Sequence, residues 1–303
     1  MRNHPLMSLN QVRYFLEVAR AASIREASER LNIAPSALSR QIQNLEEDLG
    51  VPLFERRPRG MVLTPAGEVY ARYAQAITLE TDRVRSELEE LQGLRRGRVR
   101  VYTVEGIVSD ILTRVIAEFH EKLPGISFKL VTTGTDDVVA AVREGHADLG
   151  ISFNAQPDAA VRFVRRIRDP LIALVHPSHP LAETTVRFSQ VLHFRLGVPE
   201  PGFGIRRLID DECRRLGVSF LPALESNSIE ALRGFARSGA GVTLMSSHSS
   251  TRELAQGLVR RVHLNEPALL QSTLDVSVLA GRRLPSAVSE FLMALERAFA
   301  VAE

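Results

Sequence analysis

The residues with the clearest chemical capacity lie on one short helical segment near the N-terminus. Four polar side chains recur there at helical spacing, opposite the apolar stripe of the segment: Ser36, Ser39, Arg40 and Gln43. Hydroxyl, amide and guanidinium groups of this kind hydrogen-bond base edges and phosphates in a DNA major groove. The alternative is an ordinary solvated face, but this face lacks the usual mixture of Glu and Lys. The pattern therefore favours a nucleic-acid interface.

Three predicted helices position that face. The first has apolar residues at helical spacing from Val12 to Ala19. The second begins at Ser23, which with Glu26 matches a capping box. The third begins near Pro35, buries Leu38, Ile42, Leu45 and Leu49, and ends at a glycine cap, Gly50. Two short helices separated by a tight turn and braced by a preceding helix predict a helix-turn-helix.

Residues 53–63 predict a β-hairpin that follows the third helix. Two short extended runs flank the turn Pro58-Arg59-Gly60. Arg56, Arg57 and Arg59 lie near its tip, where they suit a phosphate backbone. We interpret this hairpin as a wing.

A long helix is predicted to start at Thr64-Pro65, a cap followed by a first-turn proline. At a rise of ~1.5 Å per residue, roughly 27 residues make a rod of about 40 Å. Its apolar positions keep a spacing of three or four, with Thr81 as a polar interruption: Tyr70, Tyr73, Ile77, Val84, Leu88 and Leu91. An apolar stripe on such a rod predicts dimerisation through this helix.

From residue 98 onward, strands alternate with helices over short links, which predicts two α/β lobes with parallel sheets and two chain crossings. Ligands of open α/β sheets bind beyond the carboxyl ends of the strands, here in the cleft between the lobes. Hydroxyls, glycines and helix N-termini at such ends suit a small carboxylate, although each residue taken singly also suits an ordinary βα turn. The candidate ligand contacts are Glu105, Gly106, Thr133, Thr135, Phe153, Asn154, Glu200, Phe203, Gly204 and Asn227.

Composition narrows the class of protein. The chain has 303 residues, a net charge of +2 and 45% hydrophobic residues, with no apolar run near the ~20 residues of a membrane helix. The opening MRNHPLM lacks the features of a signal peptide, and the single cysteine, Cys213, suits a reducing compartment. We expect a soluble, cytoplasmic protein.

The sequence has few residue patterns typical of metal binding or catalysis. His176 and His179 flank a proline, which favours a surface turn over a metal site, and Cys213 is placed for packing rather than redox sensing. Ser246-Ser247-His248-Ser249 has no evident carboxylate partner for a hydrolase, and no P-loop or GxGxxG is present. We therefore expect no metal, no cofactor and no enzymatic activity.

Residues 15–68, FLEVARAASIREASERLNIAPSALSRQIQNLEEDLGVPLFERRPRGMVLTPAGE, resemble the LysR-type transcriptional regulators. The resemblance implies a winged helix-turn-helix at 1–64, a linker and dimerisation helix at 65–94 and an effector-binding domain at 95–303, similar to type 2 periplasmic binding proteins. Lobe one is expected at about 98–163 and 268–302, and lobe two at about 168–264. In such proteins two dimers usually form a tetramer that bends DNA, so double-stranded DNA, a small-molecule effector and further copies of the chain are expected partners; RNA polymerase is a further candidate.

By position in that family, the four polar residues of the third helix would read bases, and Ser23, Arg56, Arg57 and Arg59 would hold phosphates. Family members often carry Ser or Thr where this chain has Gly106, next to the acidic Glu105. This departure allows an effector that carries an amine or several hydroxyls.

Two other classes of function remain open at this point. One is a solute-binding or enzymatic α/β protein with an N-terminal pair of interaction helices, which would not bind DNA in a salt-dependent way. The other is an architectural DNA-binding protein without a ligand. Activation and repression are both open.

Overall fold

The computed structural model describes residues 8–57, 60–91 and 96–302 of the chain, which forms two compact units, Met1–Leu88 and Glu89–Glu303. The MRNHPLM segment, Arg59 and the expected linker end at residue 94 lie outside the described residues. The elements of the N-terminal unit are α1 Leu9–Ala21, α2 Ile24–Leu31, α3 Pro35–Leu49, β1 Phe54–Arg57, β2 Gly60–Leu63 and α4 Pro65–Leu91. The predicted order of three helices, a hairpin and a long helix is confirmed.

One apolar cluster holds the N-terminal unit together, and all four helices contribute to it. The fully buried Phe15 ring of α1 packs against Tyr70 of α4 at a centroid distance of 4.6 Å and against Phe54 of β1 at 5.0 Å. Leu38 and Leu45 bring the predicted apolar stripe of α3 into the same cluster. Since burying one such side chain contributes about 1.5–3 kcal/mol, this packing fixes which face of α3 points outward.

Local capping sets where the short helices begin. α1 starts after Ser8, which forms a reciprocal capping box with Gln11 that the sequence interpretation missed. Ser23 caps α2 by accepting the Glu26 N–H at 3.3 Å, but the Glu26 carboxylate pairs with Arg30, and no described hydrogen bond returns it to the Ser23 backbone. The predicted capping box at Ser23 is therefore only half correct, because an ion pair one turn further along competes for the glutamate.

α4 begins where the sequence predicts and runs for 27 residues. The Thr64 hydroxyl caps it by accepting the Gly67 N–H at 2.9 Å, and it donates to the Pro52 carbonyl at 2.7 Å. The buried Ala74 joins the core of the N-terminal unit, so the first turns of the rod are part of that unit. Neither α4 nor any other described helix has the length and apolarity needed to span a membrane.

The C-terminal unit consists of two α/β lobes between which the chain passes twice. It first builds lobe one with β3 Gly97–Thr103, α5 Thr113–Lys122, β4 Ile126–Thr132, α6 Thr135–Arg143, β5 Leu149–Phe153 and β6 Val161–Arg168. Lobe two follows with β7 Leu171–Val175, β8 Thr185–Val186, α7 Phe188–Val191, β9 Leu196–Pro199, α8 Gly204–Leu216, β10 Leu224–Ser226, α9 Ile229–Arg237, β11 Val242–Ser246, α10 Thr251–Ala255, β12 Arg260–Leu264 and α11 Pro267–Leu270. The chain then returns to lobe one with β13 Thr273–Leu279 and α12 Ser286–Ala302.

The two sheets are mixed rather than parallel. Lobe one has the strand order β4-β3-β5-β13-β6, and lobe two has the order β10-β9-β11-β7-β12-β8. β3, β4 and β5 are parallel, as are β9, β10 and β11, but β13 and β7 are each antiparallel to both neighbours. The prediction of parallel sheets is thus wrong at these two strands. They are the strands by which the chain enters a lobe from the other one, so they start at the cleft where the parallel strands end.

Three strands, β6, β8 and β12, were not predicted: the arginines of β6 and β12 interrupt the apolar alternation, and β8 has only two residues. With β6 in place the chain crosses between the lobes at residues 169–170 and again at 271–272. The two crossings are bonded to each other: the Asp169 N–H donates to the Ser272 carbonyl at 2.9 Å, and the Ser272 hydroxyl donates to the Asp169 carbonyl at 2.8 Å. The lobes are therefore joined by a paired hinge.

A buried ion cluster stabilises lobe one. The Asp148 carboxylate accepts the Arg100 backbone N–H at 2.8 Å, is bound through both oxygens by the Arg100 guanidinium and also pairs with Arg282 at 2.8 Å. Burial raises the pKa of Asp148, but the hydrogen bonds and charges of the two arginines outweigh it and hold the pKa below its ordinary value.

We predict that Asp148→Asn lowers the free energy of unfolding of the C-terminal unit by about 3–5 kcal/mol, because it leaves two guanidiniums without their buried partner. The folded-state pKa lies below the unfolded value of about 3.9, so this contribution is present above about pH 4 and is lost as the pH falls through the folded pKa. Urea unfolding at neutral and acid pH measures both effects. Glu144→Gln, which removes a half-exposed partner of Arg143, is the matched control and should cost less than about 1 kcal/mol. Equal losses in the two variants would contradict the prediction.

Candidate functional sites

The polar face predicted on α3 is exposed. Ser36, Arg40 and Gln43 are exposed and Ser39 is half-buried. Within residues 8–57 and the other described ranges, none of these four side chains makes a hydrogen bond or an ion pair. The face is therefore available to an external partner without breaking internal contacts.

The first turn of α3 adds backbone donors to this face. Its N-cap position is Ala34, which has no side-chain oxygen to accept a hydrogen bond, and Pro35 at the first helical position has no N–H. Among the described hydrogen bonds none uses the N–H groups of Ser36 or Ala37. A helix N-terminus with unpaired N–H groups favours an anion such as phosphate.

The wing is held against the helices by hydrogen bonds that fix its register. The Glu46 carboxylate of α3 accepts the N–H groups of Leu53 at 2.7 Å and Phe54 at 3.0 Å. On the other strand, the Met61 N–H donates to the Ala22 carbonyl at 2.7 Å, in the turn between α1 and α2. The wing is thus a fixed extension of the helix-turn-helix.

The arginines of the wing differ in what they contact. Arg57 pairs with Glu55 at 2.9 Å, which offsets part of its charge. Arg56 is exposed and has no ion pair within the described part of the chain. Ser23 is half-buried and accepts a backbone N–H as a cap, so its hydroxyl hydrogen is still available for donation.

In the C-terminal unit the carboxyl ends of the parallel strands meet at the cleft between the lobes, as predicted. One group of candidates seals this cleft. The buried Thr135 hydroxyl donates to the Phe153 carbonyl at 3.1 Å in lobe one and accepts the Gly204 N–H at 3.2 Å from lobe two. A Cβ placed on Gly204 would stand 1.8 Å from the Phe153 carbonyl oxygen. Thr135, Phe153 and Gly204 therefore contact each other, and in this conformation they leave no room for a ligand between them.

Contacts next to this point reinforce the closure. The Asp136 N–H donates to the Gly202 carbonyl at 3.1 Å, and the Asp136 carboxylate pairs with Arg207 at 2.8 Å. Both bonds join α6 of lobe one to the start of α8 in lobe two. The lobes are in direct contact along this edge.

Glu105 makes a second contact between the lobes, from the end of β3 to the start of α9. Its carboxylate accepts the N–H groups of Ile229 at 2.8 Å and Glu230 at 3.4 Å, the first two residues of α9. Arg233 of α9 reaches back and donates to the Gly106 carbonyl at 3.3 Å. Gly106 is buried against Ser249, where a Cβ would come within 2.6 Å of the serine Cβ.

The remaining candidates stay at least partly accessible: Thr133, Asn154, Glu200, Phe203 and Asn227. Thr133 donates to Asp137 at 2.8 Å, and Asn154 adopts a left-handed conformation with φ of 49°. Their places at the strand ends agree with the prediction, although each also has a local structural role.

Comparison with known proteins identifies the family. The helix-turn-helix family described as "Bacterial regulatory helix-turn-helix protein, lysR family" matches residues 9–68, and the "LysR substrate binding domain" family matches residues 92–300, more than half of the chain. The chain belongs to the LysR family of transcriptional regulators. It is a DNA-binding regulator with an effector-binding domain, and not an enzyme.

Individual relatives agree with this assignment. The transcriptional dual regulator GltC of Bacillus subtilis is 31% identical over 242 residues, which cover 79% of this chain and 80% of that protein. A full-length OxyR variant of Pseudomonas aeruginosa has the same fold, with a TM-score of 0.69 at 22% identity over 98% of this chain and 95% of that one. Full-length CbnR in complex with its target DNA aligns with a TM-score of 0.60 at 19% identity over 96% of this chain and all (100%) of that one.

Two residues that shape the sites of this LysR-family regulator were missed in the sequence. Glu46 was not predicted to contact the wing, whereas its carboxylate accepts two N–H groups at the start of the wing. Arg233 lies on the apolar face of α9, between the buried Leu232 and Ala236. In the sequence, a charged residue at a position that the helical spacing assigns to the core could have indicated the role of Arg233.

We predict that Gly204→Ala opens the cleft of this LysR-family domain, because its Cβ cannot share space with the Phe153 carbonyl. The melting temperature should fall and the radius of gyration, measured by small-angle X-ray scattering, should rise. Gly234→Ala in α9 is the matched control, since its nearest neighbour is an Arg237 side-chain nitrogen at 3.8 Å. It should be neutral or stabilising by up to about 1 kcal/mol. An unchanged Gly204→Ala protein would contradict the closeness of this contact.

Proposed function

We propose that this LysR-family regulator reads its operator with the exposed face of α3, while the wing and the N-cap of α2 hold the backbone. This proposal rests on the polar side chains of α3, which have no internal partner among the described residues. Ser36, Ser39, Arg40 and Gln43 would contact bases, and the unpaired first-turn N–H groups would add a phosphate contact. Ser23, Arg56, Arg57 and Arg59 would contact phosphates; Arg59 lies outside the described residues.

We predict that Arg40→Ala weakens operator binding by about 1–3 kcal/mol, since a guanidinium bidentate to a base supplies discrimination of that size. Fluorescence anisotropy with a labelled fragment from the DNA that flanks the gene, against excess unrelated DNA, measures the change. Arg114→Ala removes the same charge from an exposed site on α5 of the effector domain and serves as the control. Operator affinity that is equal for Arg40→Ala and the natural protein would refute the base contact.

We propose that α4 is the dimerisation element. Its exposed large apolar side chains include Tyr73 at 48%, Val84 at 43% and Leu88 at 55% exposed, although the first turns of the helix are buried in their own unit. Exposed apolar side chains at helical spacing on a 27-residue rod suit a second copy of the helix. Two such dimers would associate through their effector domains as a homotetramer.

Leu88→Glu should convert the dimer into a monomer, because it would place a charge in an apolar helix pair. Sedimentation velocity at micromolar protein concentration reports the change in mass. Arg85→Glu, on an exposed position of the same helix, controls for the added negative charge. If both variants remain dimers, the association does not use this face of α4.

We further propose that the effector binds between the lobes, in reach of the accessible strand-end residues, and shifts the population of two assembly shapes. A ligand changes such an equilibrium only through a difference in its affinity for the two states. The direct contacts at Gly204 and Glu105 stabilise a closed arrangement of the lobes. An effector would either favour this arrangement or open it. We place the protein in the cytoplasm, with RNA polymerase as a candidate partner, as suits a transcription regulator.

A further inference from the structure

A cavity of about 500 Å³ lies beside the Glu105 contact and apart from the sealed edge at Thr135. Lobe one contributes Glu105 and the π-helical turn Val108–Leu112 to its wall, and lobe two contributes α9 and the α10 region. A site of this volume falls within the range of small-molecule pockets, about 300–1,000 Å³. Because both lobes line it, a ligand here would be sensitive to their separation.

Two buried side chains on the cavity wall have unsatisfied atoms. The side chains of Arg233 and Glu253 are only 8% and 9% exposed, and their nearest nitrogen and oxygen are 3.5 Å apart. Within the described residues, Arg233 Nε and Glu253 Oε2 have no hydrogen-bond partner. Burying such atoms without a hydrogen-bond partner is unfavourable. Both atoms are themselves buried, so a ligand reaches them only by separating the Arg233 and Glu253 side chains, and it then supplies the hydrogen bonds that the two atoms lack.

The N-terminus of α9, next to this pair, is already occupied. Glu105 takes the N–H groups of Ile229 and Glu230, the Ser228 hydroxyl takes that of Ala231 at 3.3 Å, and the Ser228 carbonyl takes that of Leu232 at 3.3 Å. No first-turn donor is left for a carboxylate from solution. The resident Glu105 charge would also repel one.

The described side chains that line the cavity carry balanced charge. Glu105, Glu230 and Glu253 oppose Arg233, Arg237 and Arg252. A ligand with separate positive and negative groups preserves this balance, whereas a simple anion or cation disturbs it. The same two groups would complete the hydrogen bonding of the unpaired Arg233 Nε and Glu253 Oε2.

We propose that this cavity binds the zwitterion of a small α-amino acid, with the carboxylate on Arg233 and the ammonium on Glu253. Glu105 acts as the specificity determinant: it fills the N-terminus of α9 and so excludes ligands that carry only carboxylates. The inference rests on the proposed interlobe effector site and deepens it by naming the class of ligand.

Thermal melting of the full-length protein tests the class. Each of the twenty common amino acids is compared with its amine-free carboxylate at equal ionic strength, for example glycine with acetate, alanine with propionate, aspartate with succinate and glutamate with glutarate. We expect at least one amino acid to raise the melting temperature, with a Kd at least tenfold lower than that of its carboxylate. No shift with any amino acid, or equal shifts within every pair, would overturn the proposal.

Two variants locate the site. Glu253→Gln keeps the shape of the side chain and should weaken the active amino acid at least tenfold, whereas Glu121→Gln on the exposed face of α5 should leave its affinity unchanged. Glu105→Ser vacates the N-terminus of α9 and should raise the affinity for the matched carboxylate at least tenfold. That gain of binding cannot come from a damaged fold, and its absence would refute the role of Glu105.

Operator binding is measured in the same preparations. An amino-acid shift without operator binding would refute the proposed DNA-reading function and leave the ligand class standing. Operator binding without any amino-acid shift would refute only the ligand class.

Discussion

The contact between Thr135 and the backbones of both lobes is the interaction on which the cleft depends. One buried hydroxyl donates to the Phe153 carbonyl of lobe one and accepts the Gly204 N–H of lobe two. The approach is so close that only glycine fits at position 204. The adjacent pairs Asp136 with Gly202 and Asp136 with Arg207 follow from that approach. The edge at Thr135 is therefore closed, whereas a cavity lined by both lobes lies beside Glu105.

Carboxylates from other elements accept hydrogen bonds from backbone N–H groups at several points of the chain. Glu46 binds the start of the wing, Glu105 binds the start of α9, and Glu266 binds the Phe188 N–H at the start of α7 at 2.7 Å. In each case the acid joins its own segment to the start of another element through backbone N–H groups. Such acids hold the functional segments in place by charge-assisted hydrogen bonds, which are roughly twice as strong as neutral ones.

What could be read from the sequence was local. Pro35, Gly50 and the pair Thr64-Pro65 each mark a helix end in the sequence, and the helices begin and end there. The exposed polar side chains of α3 followed from the same local periodicity. The contacts at Glu105 and Thr135 were beyond reach, because their partners lie 124 and 69 residues away along the chain. The direction of β7 and β13 was missed for a related reason, since it depends on how the chain enters each lobe and not on the composition of either strand.

The N-termini of α3 and α9 differ in whether their backbone N–H groups are hydrogen-bonded. At α3 the cap is an alanine, and the N–H groups of Ser36 and Ala37 have no described acceptor. At α9 the first four N–H groups are all taken by Glu105 and Ser228. A surface of the first kind can receive an anion without rearrangement, which suits a polyanion that must be bound rapidly. The N-terminus of α9 can bind a ligand only if the hydrogen bonds from Glu105 are broken, and those bonds join the two lobes. A ligand that displaces Glu105 therefore has different affinities for the open and closed arrangements of the lobes. A population shift requires that difference.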